Sequence, residues 1–109
     1  MNGQQPAPSC FLREAHVEGL ELKFKTGDSC TLYYPYLLRS RLDVTGSIEI
    51  QFSTDKVVIE GRHLQKLYDP LRDKAVKWIR EAEWESTRYR EDEEPLVRSI
   101  AITPVTSAG

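Results

Sequence analysis

The sequence predicts an α+β domain: antiparallel β-hairpins form a sheet and one main helix packs on it. Two observations lead there. Apolar residues alternate with polar ones over 17–34 and again over 47–60, each stretch broken by a short polar turn. After His63 the apolar spacing changes to three and four residues, the period of a helix.

In the first hairpin Leu20, Leu22 and Phe24 share one strand phase, and Glu21, Lys23 and Lys25 the other. Thr26-Gly27-Asp28 makes the turn, because glycine adopts positive φ without steric cost. Residues 29–34 return with Cys30, Leu32 and Tyr34 on one face, and Pro35 stops the strand for want of an N–H. A short helical turn is expected over Tyr36–Arg39, and an extended piece from Leu42 to Val44, before a break at Thr45-Gly46. The second hairpin places Ile48, Ile50 and Phe52 inward, turns at Ser53–Lys56, and returns through the β-branched run Val57–Glu60 to Gly61.

The helix is expected over 63–73, with Leu64, Leu67, Tyr68 and Leu71 as its apolar stripe. Pro70 lies inside it. It either kinks the helix or starts a new one with Asp69 as N-cap. Residues 75–82 fit two patterns. As a strand, Val76, Trp78 and Arg80 share one face and Lys77, Ile79 and Glu81 the other. As a helix, Leu71, Ala75, Trp78, Ile79 and Ala82 make one stripe. The β propensity around Trp78 and the polar break Arg72-Asp73-Lys74 favour the strand. An acidic solvated loop or frayed helix end follows to Pro95, then a last strand over 96–102 with Ile100 and Ile102 inward and Val97, Ser99 and Ala101 on the other face. The organisation expected is a flexible N-terminal tail over 1–12, one domain over 13–103 and a C-terminal tail over 104–109. The expected core is Leu20, Leu22, Phe24, Leu32, Ile48, Ile50, Phe52, Val57, Ile59, Leu64, Leu67, Leu71, Ile79 and Ile100.

With 109 residues the chain is long enough for one core without metals or disulfides. Its net charge of −2 gives no global field to draw it onto nucleic acid or an anionic membrane. No apolar run is long enough for a membrane span. Met1 to Cys10 is polar and Pro-containing, so no secretory signal is expected and the default location is cytoplasmic. Cys10, in the expected tail, and Cys30, on a strand, lack Cys-x-x-Cys spacing and are read as free thiols.

The pattern Tyr34-Pro35-Tyr36-Leu37-Leu38, Ile48-x-Ile50-x-Phe52-Ser53, Val58-Ile59-x-Gly61-Arg62-x-Leu64-x-x-Leu67-Tyr68 and Val76-x-Trp78-Ile79-Arg80-Glu81 resembles a group of small bacterial proteins of unknown function. The resemblance runs over about residues 17–102. It implies a compact bacterial domain and carries over no functional residue.

Catalysis is not expected. The two histidines, His16 and His63, stand alone, without a metal-binding or nucleophile motif around them, and the glycine turns are too sparse to cradle phosphate. No cofactor and no metal are expected. The aromatic residues Tyr33, Tyr34, Tyr36 and Trp84 are the candidates for contact with a protein partner or a second copy, since Tyr and Trp are enriched at interface hot spots. The expected function is therefore a non-catalytic protein-binding or assembly module. The alternative is a weak nucleic-acid-associated regulator. Residues 56–80 carry seven cations against three acids, net +4, with Lys66, Arg72, Lys74, Lys77 and Arg80 as the basic face. Residues 81–94 follow with seven acids against two arginines, net −5. Within a Debye length of about 8 Å these acids cancel much of that field, so nucleic acid is not the expected partner.

Overall fold

The computed structural model describes residues 10–82 and 94–105. In chain order these form β1 (Phe11–Arg13), β2 (Gly19–Lys23), β3 (Ser29–Tyr33), a 3-10 turn (Tyr34–Tyr36), β4 (Leu37–Leu42), β5 (Ile48–Phe52), β6 (Asp55–Arg62), α1 (Gln65–Arg72), β7 (Val76–Arg80) and β8 (Leu96–Pro104). The strands make two four-stranded sheets, ordered β1-β7-β2-β3 and β4-β5-β6-β8.

This corrects the expected α+β architecture. Strands take 54% of the described residues and helical turns 13%, and the one α-helix is eight residues long. Two strands escaped the sequence reading. Phe11–Arg13 pairs with β7, and Leu37–Leu42 pairs with β5 where a helical turn was expected. Leu37–Leu42 lacks clean alternation because its pairing with β5 skips Leu38, and Phe11–Arg13 is only three residues long. With these two strands the hairpins become two separate sheets whose buried side chains share one core.

The hairpins keep the phases that alternation predicts. Leu20 stands opposite Leu32 and Leu22 opposite Cys30, while Ile48 and Ile50 stand opposite Ile59 and Val57. The inward side chains of both sheets join one apolar cluster, with Leu64, Leu67 and Leu71 added from α1 and the residue before it. Each such side chain contributes roughly 1.5–3 kcal/mol by leaving water. Of the expected core only Phe24 is half-buried; Cys10, Tyr34, Val76, Leu96 and Val97 are buried in addition.

Val97 shows why phase alone fails at β8. The register shifts between Glu60 and Gly61, so Ser99 faces Glu60 but Val97 faces Gly61. That bulge turns Val97 inward, against the expected outward phase. Gly61 is required there: a Cβ would overlap the Leu96 carbonyl oxygen.

Helix α1 runs through Pro70 without restarting, and Asp69 lies within it as an acceptor for the Asp73 N–H. It ends in a Schellman arrangement: the Ala75 N–H donates to the Pro70 carbonyl and the Lys74 N–H to that of Leu71. Lys74 takes the left-handed position usually held by glycine, with φ 59°. The chain then enters β7, so residues 76–80 are strand. β7 runs parallel to β2, with Leu22 beside Ile79 and Lys23 beside Arg80.

Cys10 is buried, not part of a tail, and its carbonyl accepts the Arg80 N–H. Both cysteines are free thiols. Cys10 precedes β1 and Cys30 lies on β3, at opposite edges of a four-stranded sheet. With strands about 4.8 Å apart, that separation exceeds the reach of a disulfide.

Candidate binding face

Strand phase sorts the side chains of the first sheet. Leu20, Leu22 and Ile79 point into the core, so Gly19, Glu21 and Lys23 of β2 point outward, joined by Trp78 and Arg80 of β7. On β3 the outward residues are Ser29, Thr31 and Tyr33, and Tyr33 stands opposite Gly19. Leu12 of β1 stands opposite Trp78 and is exposed.

Two features organise this outer face. The Tyr33 ring lies against the bare Cα of Gly19, where a Cβ would come to 3.0 Å from the ring, and the side chain is 54% exposed. Trp78 carries two cations on its ring: the Lys23 Nζ is 4.8 Å from the centroid and the Arg80 guanidinium carbon 5.3 Å. Each such contact contributes about 0.5–1 kcal/mol at a surface and restrains the ring. Leu12, Trp78 and Tyr33 therefore supply apolar area on one face, with Lys23, Arg80 and Glu21 between and beside them.

The residues expected to bind a partner do not stay together. Tyr33 is on this face. Tyr36 ends the 3-10 turn, 59% exposed. Tyr34 is buried, and its hydroxyl donates to the Val76 carbonyl at 2.6 Å. It is a core residue, and burial pushes its phenol up to about 12. Trp84 lies outside the described residues.

The residues of the expected basic face come from several elements. Lys66 and Arg72 belong to α1, Lys74 to its C-terminal cap, and Lys77 and Arg80 to β7. Arg72 lies 3.8 Å from Asp69 and 3.7 Å from Asp73, and Lys77 3.8 Å from Glu14. Lys56 similarly lies 3.8 Å from Glu49. The net +4 of residues 56–80 is thus spread over several elements and partly matched locally.

Sequence reasoning missed Lys23 and Gly19 as parts of a site, because their neighbours come from the parallel β2–β7 pair and the bare glycine under Tyr33. It also missed Glu81, a buried carboxylate. Its Oε1 accepts the Lys25 N–H at 2.9 Å and its Oε2 the Ile100 N–H at 2.8 Å. A signal existed, since Glu81 shares its strand phase with Ile79. Glu81 joins the two sheets and is satisfied by backbone donors, as a structural carboxylate is.

His16 and His63 both hold left-handed backbone, with φ 60° and 55°, in the loop before β2 and in the link from β6 to α1. Among the described residues no group of three or more His, Cys, Asp or Glu is placed to hold a metal ion. No helix among them is long and apolar enough to cross a membrane. Comparison with family models, curated proteins and solved structures returned no match to this chain.

Proposed function

We propose that this chain is a non-catalytic protein-binding or assembly module of the bacterial cytoplasm, and that it meets its partner with the outer face of the first sheet. The observation that carries the reading is the pairing on one open face of an exposed Tyr33 packed on Gly19 with a Trp78 held by Lys23 and Arg80. Aromatic rings fixed by their own neighbours lose little entropy on contact, and Tyr, Trp and Arg carry a large share of binding energy at interfaces.

The test is site-specific photo-cross-linking in cells, with p-benzoylphenylalanine in place of Tyr33 or, as a control on the outer face of the second sheet, Val58. A discrete protein adduct at position 33, absent at position 58 and weakened by Trp78→Ala, is expected. Equal labelling at both positions counts against the face.

A second reading draws on the same geometry. Aromatic side chains flanked by cations stack on single-stranded bases, and Tyr33, Trp78, Lys23 and Arg80 offer both elements. Glu21, between Thr31 and Trp78 in register, opposes a phosphate there, which ranks this reading second. Sub-micromolar binding of a labelled single-stranded oligonucleotide at roughly 150 mM salt, tighter than ordinary non-specific affinity, promotes it.

A further inference from the structure

We propose that the free edge of β3 is a self-association edge, along which a second copy of the chain adds its own β3 in antiparallel register. The proposal deepens the assembly-module reading and rests on it.

Of the four sheet edges, three are blunted. β1 is only three residues long. β4 has exposed Arg39 and Arg41 and a register shift, and the Tyr68 hydroxyl donates to its Ser40 carbonyl at 3.4 Å. β8 is occupied, since its Val97 carbonyl accepts the Ala82 N–H and its Ile100 N–H donates to Glu81. Short strands, charges, bulges and covering segments are the devices by which proteins protect an edge. Among the described residues β3 has none of them: Ser29-Cys30-Thr31-Leu32-Tyr33 is regular, uncharged and without proline.

The phase of its free groups is fixed. The Tyr34 N–H donates to the Glu18 carbonyl and the Phe24 N–H to that of Asp28. Even-numbered residues are therefore the hydrogen-bonded positions of the β2–β3 pair, and the N–H and C=O of Ser29, Thr31 and Tyr33 point away from β2. Among the described residues these groups have no partner.

A second copy fits this edge because the strand is self-complementary about Thr31. With a two-fold axis there, Thr31 meets the copy's Thr31, and Ser29 meets the copy's Tyr33, so a small residue stands against a large one. Each pair exchanges two backbone hydrogen bonds, and Thr–Thr is a favourable cross-strand pair. On the inner side the half-exposed Cys30 meets the copy's Leu32, which covers apolar surface left open at the edge. No like charge meets across the axis, and β3 offers no charge to select an acidic or basic peptide instead. The contact is isologous and closes at two copies.

The experiment is sedimentation of the full chain at roughly 10 and 200 µM, a range that brackets a weak dimer, with Thr31→Pro and Thr31→Lys. Neither variant removes an internal hydrogen bond, because the Thr31 N–H faces away from β2. The lysine stays solvated in the monomer but places two like charges on the axis. The wild type is expected to approach dimer mass at the higher concentration, with alkylation of Cys30 slowed there, and both variants to weaken association at least about tenfold. Unchanged far-UV circular dichroism confirms their fold; should Thr31→Pro unfold, Thr31→Lys alone decides. A wild type that stays monomeric at both concentrations overturns the proposal, and so does a dimer that survives both substitutions. A monomeric chain that still gives the Tyr33 adduct with another protein removes self-association and leaves the binding reading standing.

Discussion

Tyr34 is the residue at which side-chain chemistry and burial meet most directly. It shares β3's inward phase with Cys30 and Leu32, but lies at the start of the 3-10 turn, where its ring enters the core and its hydroxyl reaches the Val76 carbonyl. That bond joins the turn between the sheets to the start of β7. Burial penalises the phenolate, so the folded phenol titrates at about 12 against an ordinary value of 10. Because the folded value is raised, the stabilisation is complete below pH 10 and is lost as pH rises from 10 through 12. Tyr34→Phe removes this dependence and leaves a buried carbonyl unpaired, at a cost of about 1–3 kcal/mol near neutral pH. Denaturant titrations at neutral and alkaline pH check both effects; equal alkaline loss in wild type and variant excludes Tyr34 as its source.

At the scale of elements, the bulge between β6 and β8 controls which residues of β8 reach the core. Gly61 lets the Leu96 backbone approach, and the shifted register buries Val97 as well as Ile100. Gly61→Ala must push the strands apart. The expected loss is about 3 kcal/mol or more, in the range of backbone overlap combined with disturbed core packing. Urea unfolding followed by circular dichroism measures it, and a loss below about 0.5 kcal/mol, the range of an ordinary surface change, contradicts the required close approach. The same bulge shows why a short window misreads β8: two neighbouring apolar residues, Leu96 and Val97, are both buried only because the register changes beside them.

For the whole molecule, the question is what holds two sheets together besides apolar contact. Glu81 supplies one answer. The Glu81 N–H continues the β2–β7 ladder to the Lys23 carbonyl, and its carboxylate then spans from Lys25, at the turn of the first sheet, to Ile100 in the second. Glu81→Ala strands both donors and is expected to cost about 2–4 kcal/mol, summing one partly and one fully buried group. Glu81→Gln keeps one acceptor and should fall between. Chemical denaturation of the three proteins decides: a loss under about 1 kcal/mol for the alanine variant, less than one unmade buried hydrogen bond, shows that the carboxylate does not join the sheets.

Period-two alternation by itself determined the two hairpins and the inward phase of Leu20, Leu22, Leu32, Ile48, Ile50, Phe52, Val57 and Ile59, because a strand's faces and a tight turn are local properties. The change of period placed α1, and β propensity with a polar break placed β7. Tyr33 was legible as a candidate from residue type alone. The rest depended on which strands lie side by side. Only the tertiary structure set β7 parallel to β2, which brings Lys23 and Arg80 over Trp78. It alone split the hairpins between two sheets and buried Tyr34 and Cys10. The physical reason is that alternation encodes the face a side chain takes, whereas strand neighbours, bulges and edges are chosen by contacts between segments tens of residues apart.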